Sequence, residues 1–189
     1  MTRALRVGIA SPYDLASPGG VQEHIRYLAT HLRQRGHHVD IIAPVSDLAQ
    51  LPVTTVERGA VLAIESGVVP VPFGGSVARI ALSPSIVAET RELLRTHEFD
   101  LLHLHQPTTP ALNLALLHLA ECPLVGTFHH FSEDQSLAYD ASRFVFEGVL
   151  DRLGGRIAVS RAARDFAQRY FPGDYTIIPN GIEVALYQD

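Results

Sequence analysis

Cysteine occurs once in the 189-residue chain, at Cys122. One thiol excludes an internal disulfide framework and fits a reducing cytoplasm. Basic charge is also in short supply, with 15 Lys and Arg against 20 Asp and Glu and a formal net charge of -5. Without a basic field, nucleic acid is not expected as the main partner. No stretch is apolar enough over sufficient length to span a bilayer, and Met1-Thr2-Arg3 leads into a strand-like run without an apolar targeting segment. Several catalytic signatures are missing too. There is no P-loop, no nucleophile elbow, no Ser-His-Asp order and no Gly-x-Gly-x-x-Gly. The last absence disfavours a nucleotide-dependent oxidoreductase.

What is present is a chain with 47% hydrophobic residues, long enough to bury one real core. Leu5 to Ala10 is a short β-prone run. Val21, Ile25, Leu28, Ala29 and Leu32 then recur at spacings of three and four, which predicts a helix over 21–35 stopped by Gly36. His38 to Ala43 reads as the next strand, closed by Pro44. The alternation continues with strands at 61–64, 101–105, 124–128, 156–159 and 175–178. Helices are expected at 84–96, at 109–120, within 138–153 and at 161–170. Residues 44–60 and 65–76 read as loops. Such alternation predicts an α/β fold with a doubly wound, mainly parallel, Rossmann-like sheet.

In such sheets ligands bind outside the carboxyl ends of the strands, which selects the segments 11–22, 105–109, 129–136 and 160–161. Gly19-Gly20 lies at a strand-to-helix junction. Bare main chain there would let a phosphate approach the first helical turn and the positive end of its dipole, although a tight turn alone would also explain the pair. His103 and His105 alternate on one strand and so share a face. A metal site with His129 and His130 would need Cys or carboxylate partners at fitting spacing, and none is evident. His103 reads as a hydrogen-bonded sheet residue and His105 as a residue lining the cleft. His129, at a strand end, could bond a sugar hydroxyl or assist a leaving phosphate, or could be a capping or surface histidine. Arg79 could grip an anion or be solvated. Ser160 is a fitting N-cap.

Taken together, Pro12-Tyr13 with "PGGVQEH" (18–24), "GGSVARI" (74–80), "FDLLHLHQP" (99–107), "GTFHH" (126–130), "RIAVS" (156–160) and "IPNGIEV" (178–184) resemble the N-terminal domain of retaining glycosyltransferases of family 4. The closest likeness is to the bacterial phosphatidylinositol mannosyltransferases. The resemblance implies half of a two-domain GT-B fold. Residues 1–180 would form the acceptor-side domain, and 181–189 would begin the linker to a nucleotide-sugar domain lying outside this chain. It implies hexose transfer from a UDP- or GDP-linked sugar to a lipid or soluble alcohol, without a metal or further cofactor. Gly19 and Gly20 would face the donor diphosphate, and Tyr13, Gln22, Ser76 and Arg79 would surround the acceptor. His129 would contact the transferred sugar as the catalytic cleft residue.

Two positions depart from the mannosyltransferase pattern. Gly74 stands where an Asn is common, and the 84–96 helix carries two Arg and two Glu in place of a lysine-rich face. The protein is therefore expected in the cytoplasm, with only weak support for contact with the inner face of a membrane. Acceptor choice is expected to reside in 65–79 and 131–139. A non-catalytic binding or regulatory module with the same fold is the alternative, and by itself this half is expected to show no transfer.

Overall fold

The computed structural model describes residues 3–51, 61–64, 67–73, 76–132 and 137–182. Its first unit is β1 (Arg6–Ala10), α1 (Gly20–Gln34) and β2 (His38–Pro44), followed by β3 (Val61–Ile64). Then come β4 (Val68–Phe73), β5 (Ser76–Ala81), α2 (Ile86–Thr96), β6 (Leu101–His105), α3 (Leu112–Leu119) and β7 (Leu124–Phe128). The chain continues through α4 (Leu137–Phe146), β8 (Leu153–Ala158), α5 (Arg161–Tyr170) and β9 (Thr176–Ile177). The main sheet runs in the order β3-β2-β1-β6-β7-β8-β9 with every pairing parallel. Parallel strands covered on both faces need near-continuous apolar runs, which "RVGIA" and "VDIIAP" supply.

Strand parity separates two cores. Val7, Ile9, Val39 and Ile41 face Ile25 and Ala29 of α1. Leu102, Leu104, Leu124 and Phe128 project the other way, toward Leu112 and Leu116 of α3 and Phe166 of α5. The chain winds outward from β1 to β3 and returns to β6 on the other side of β1, so the loops after β1 and β6 diverge and leave a crevice at the carboxyl ends. α1 ends where Gly36 takes φ +88, as its sequence implied. α5 begins at Ser160, whose hydroxyl oxygen accepts from the Ala163 N–H at 3.0 Å.

The largest departures from the pattern-based expectation are at the hairpin, at α3 and at β8. Residues 65–76 are not wholly loop: β4 and β5 form an antiparallel hairpin with Pro70 opposite Arg79 and Pro72 opposite Val77. Both strands of a two-stranded ribbon are edges, so prolines that cannot donate to a ladder are tolerated. α3 starts at Leu112 because residues 106–111 make a turn with positive φ at Gln106 (47°) and Ala111 (70°). β8 starts at Leu153, three residues before the expected 156. Residues 52–60, Gly74 and the linker positions 183–189 lie outside the described residues.

Gly8 of the central strand illustrates how tightly the layers meet. A Cβ there would sit 2.5 Å from Leu102 Cδ2 and 3.2 Å from Ile42 Cδ1. Gly8→Val is expected to cost about 1–3 kcal/mol by overpacking, read as a lower urea midpoint with an unchanged slope.

Candidate functional site

The loops after β1, β6 and β7 adjoin the crevice. The first runs from Ser11 to Gly19 after β1 and ends at the start of α1. Gly19 is extended at φ 174°, and no side chain caps the helix. The first N–H groups of α1 have no carbonyl one turn back to bond. A Cβ on Gly20 would meet nothing within 4 Å, while one on Gly19 would meet the Gln22 amide group. The backbone at Gly20 is thus open to a ligand, and Gly19 is bare because Gln22 folds against it. Gln22 itself is buried, with Nε2 donating to the Asp14 carbonyl at 3.3 Å.

Asp14 anchors this loop. Its carboxylate, with no solvent exposure, accepts from the Ser46 N–H (2.9 Å) and hydroxyl (2.7 Å), the Ser17 hydroxyl (2.9 Å), the Ala16 N–H (3.2 Å) and Arg79 Nε (3.2 Å). Burial alone would raise its pKa, but the bonds from Ser46, Ser17 and Ala16 outweigh it and hold the carboxyl below its ordinary value. The Asp14 N–H also donates to the Arg79 carbonyl at 2.8 Å, and Tyr13 bridges Ile80, so the hairpin is tied to the β1 loop. Arg79 keeps 45% of its side chain exposed beside this anchor. The Tyr13 hydroxyl bonds Thr109 across the crevice, and burial raises its pKa. The Ser76 side chain lies outside the described residues, as do 65–66, 74–75 and 133–136 of the expected acceptor loops.

Beneath the crevice lies a layer of histidines. His103 and His105 share strand parity and face α1, where His24 lies one turn beyond Gly20. The His24 ring centroid is 5.4 Å from that of His105 and 5.6 Å from that of His129. His105 Nδ1 lies 2.9 Å from His129 Nε2, and His103 Nε2 lies 2.7 Å from the Thr127 hydroxyl. His103 is the hydrogen-bonded sheet residue its pattern implied. His105 does not line the cleft: it is fully buried beneath His129, because β6 carries it under the loop. Burial, and then the neighbouring rings, pushes His129 down to about 3, His103 to about 4 and His105 well below 6.5. Burial alone lowers His24. The layer is therefore neutral at pH 7. His130 leaves it and stacks on Tyr139 at 5.2 Å. Among the described residues no group of His, Cys, Asp or Glu is arranged to hold a metal ion.

Gln106 was not singled out by its sequence pattern, yet it latches two strand ends together. From left-handed backbone, φ 47°, its Oε1 accepts from the N–H groups of His129 (2.9 Å) and His130 (3.1 Å). Its Nε2 donates to Thr108 Oγ1 and Tyr139 Oη, and Asn113 Nδ2 donates to the carbonyls of His105 and Gln106. Only the run "HLHQP" at a strand end pointed this way. Arg26 was also missed: it is buried on α1 and donates to the Leu15 carbonyl at 2.6 Å.

A model of glycosyltransferase family 4 matches residues 18–186. The phosphatidyl-myo-inositol mannosyltransferase of Mycolicibacterium smegmatis is 38% identical over 189 residues, covering 98% of this chain and 46% of that protein. Its counterpart in Mycobacterium tuberculosis is 40% identical over 184 residues, covering 95% and 46%. The chain thus spans about half the length of the curated relatives it matches. Among solved structures, a sucrose-phosphate synthase from Thermosynechococcus elongatus superposes with TM-score 0.68 at 16% identity, over 96% of this chain and 49% of that one. Anabaena HepE in complex with UDP-glucose gives 0.67 at 18% identity, over 97% and 46%. These likenesses show a shared fold.

Two outcomes follow from the site's construction. Asp14→Ala removes a fully buried acceptor that receives hydrogen bonds from Ser46, Ser17 and Ala16, and is expected to cost about 1–3 kcal/mol in urea unfolding. The histidines' folded values lie below the ordinary 6.5, so the unfolded chain takes up protons first. Stability should be full above about pH 6.5 and decline below it, by about 1.4 kcal/mol per pH unit for each histidine that stays neutral. The decline levels off as the pH passes the folded values of about 4 and 3. Urea midpoints measured between pH 7 and 5 would show this slope.

Proposed function

Because the chain belongs to glycosyltransferase family 4, we propose that it is the acceptor-side half of an enzyme moving a hexose from a nucleotide-sugar to an alcohol. Mannose is the first candidate, since the curated relatives are mannosyltransferases. The observation that carries the reading is the open main chain at Gly20, at an uncapped helix start one turn from the His24–His129 contact. An anionic diphosphate at that point gains helix N–H groups and the positive end of the dipole.

His129, neutral and rigidly held, bonds the transferred sugar. Arg79, oriented by Asp14, and Tyr13 stand on the acceptor side, with Gln22 beneath the loop and Ser76 on the hairpin. Transfer proceeds with retention: the anomeric carbon–phosphate oxygen bond breaks, and the acceptor oxygen bonds the same face. The alcohol proton passes to the departing diphosphate oxygen. Such chemistry asks the protein mainly for electrostatic support and positioning, with no cofactor beyond the nucleotide-sugar. The second wall of the cleft, including the groups that read base and sugar, belongs to a further domain. Cysteine usage and charge favour a cytoplasmic setting for this half.

A screen of the longer enzyme against UDP- and GDP-sugars, crossed with lipid and soluble alcohols, tests the reading. Gly20→Val should abolish transfer by filling the open space, and His129→Ala should lower kcat on the order of a hundredfold. Wild-type turnover in both variants removes the assignment. The 189-residue chain should bind the same nucleotide-sugars only weakly by calorimetry and show no transfer. Turnover by this chain would favour a complete site within it.

A further inference from the structure

The contact between His105 Nδ1 and His129 Nε2, at 2.9 Å, holds one hydrogen between two neutral rings. Two arrangements satisfy it. In the first, His105 donates from Nδ1 and its Nε2 is a bare lone pair. In the second, His129 donates from Nε2 and His105 carries its hydrogen on Nε2. The surroundings distinguish them. His105 Nε2 is buried and has no hydrogen-bond partner. The second arrangement would leave a buried N–H orphaned, the rarer and costlier defect, whereas the first leaves only an unpaired acceptor.

The rings cannot swing away to relieve this. His105 is packed against His103 at 4.5 Å and His24 at 5.4 Å, and its carbonyl is held by Asn113. Gln106 Oε1 fixes the His129 backbone from the other side. We infer that His105 is a positioning residue: by donating Nδ1–H to His129 Nε2 it locks His129 in the tautomer that carries its hydrogen on Nδ1. That nitrogen makes no hydrogen bond among the described residues. It is left as the ring's donor for a ligand oxygen, a sugar hydroxyl or a phosphate oxygen. The tautomer follows from the pair alone, and its use in transfer rests on the proposed function.

The test is ring-nitrogen NMR on the 15N-labelled 189-residue chain at pH 7. Both rings should show hydrogen on Nδ1 and a bare Nε2. Hydrogen on Nε2 of either ring overturns the inference. His105→Asn supplies an amide N–H near the position of Nδ1 and should keep His129 in the same tautomer. His105→Leu should release it, so that the Nε2–H form appears. An unchanged His129 tautomer in His105→Leu also overturns the positioning role. In the longer enzyme, His105→Leu should lower kcat about tenfold with the donor KM within about twofold, and His105→Asn should restore most of it. If the tautomers are as stated but kcat does not respond, the lock stands and the reading of His129 as a catalytic group falls.

Discussion

A carboxylate taken wholly out of water must have its lone pairs met, and Asp14 meets them from three separate places. Ser17 and Ala16 belong to its own loop, Ser46 follows β2, and Arg79 comes from the hairpin. Each donor lost leaves the buried charge less well compensated, so the three segments cannot drift apart cheaply. The consequence reaches the ligand side of the sheet. The path of residues 14–19 decides where α1 starts, and with it where the open backbone at Gly20 lies.

The floor below that backbone follows the opposite strategy. Where Asp14 keeps its charge and is surrounded by donors, the histidines are desolvated until charge is excluded. A neutral imidazole layer offers directional donors and acceptors without attracting counterions or water. Its geometry is set from behind, by Gln106 and Asn113 holding the backbone of the β6 and β7 termini. Gln106 adopts a left-handed conformation that is sparsely populated for a non-glycine residue, and its side-chain bonds hold that strain in place. An anion bound against such a wall would meet dipoles and N–H groups.

Much of this was legible in linear form. Periodicity placed α1, α5 and the β3, β6 and β7 strands closely, because amphipathic stripes and apolar runs follow from burial of one face or both. The carboxyl-end rule selected the loops that adjoin the crevice. The β4–β5 hairpin was hidden by Pro70 and Pro72, which read as loop residues and are tolerated only because both strands are edges. The late start of α3 was hidden because a positive φ at Gln106 and Ala111 has no glycine to announce it.

The sequence by itself determined the winding of the sheet, the glycine gap before α1 and the family to which the chain belongs. These depend on local pattern and on motifs read in order. The tertiary structure decided that His105 lies beneath His129 and that Asp14 orients Arg79. It also decided that Gln22 turns inward against Gly19, while Gly20 beside it stays uncovered. Such facts concern which of several polar side chains share one enclosed space, and that is settled only when residues far apart in the chain compete for the same few hydrogen bonds.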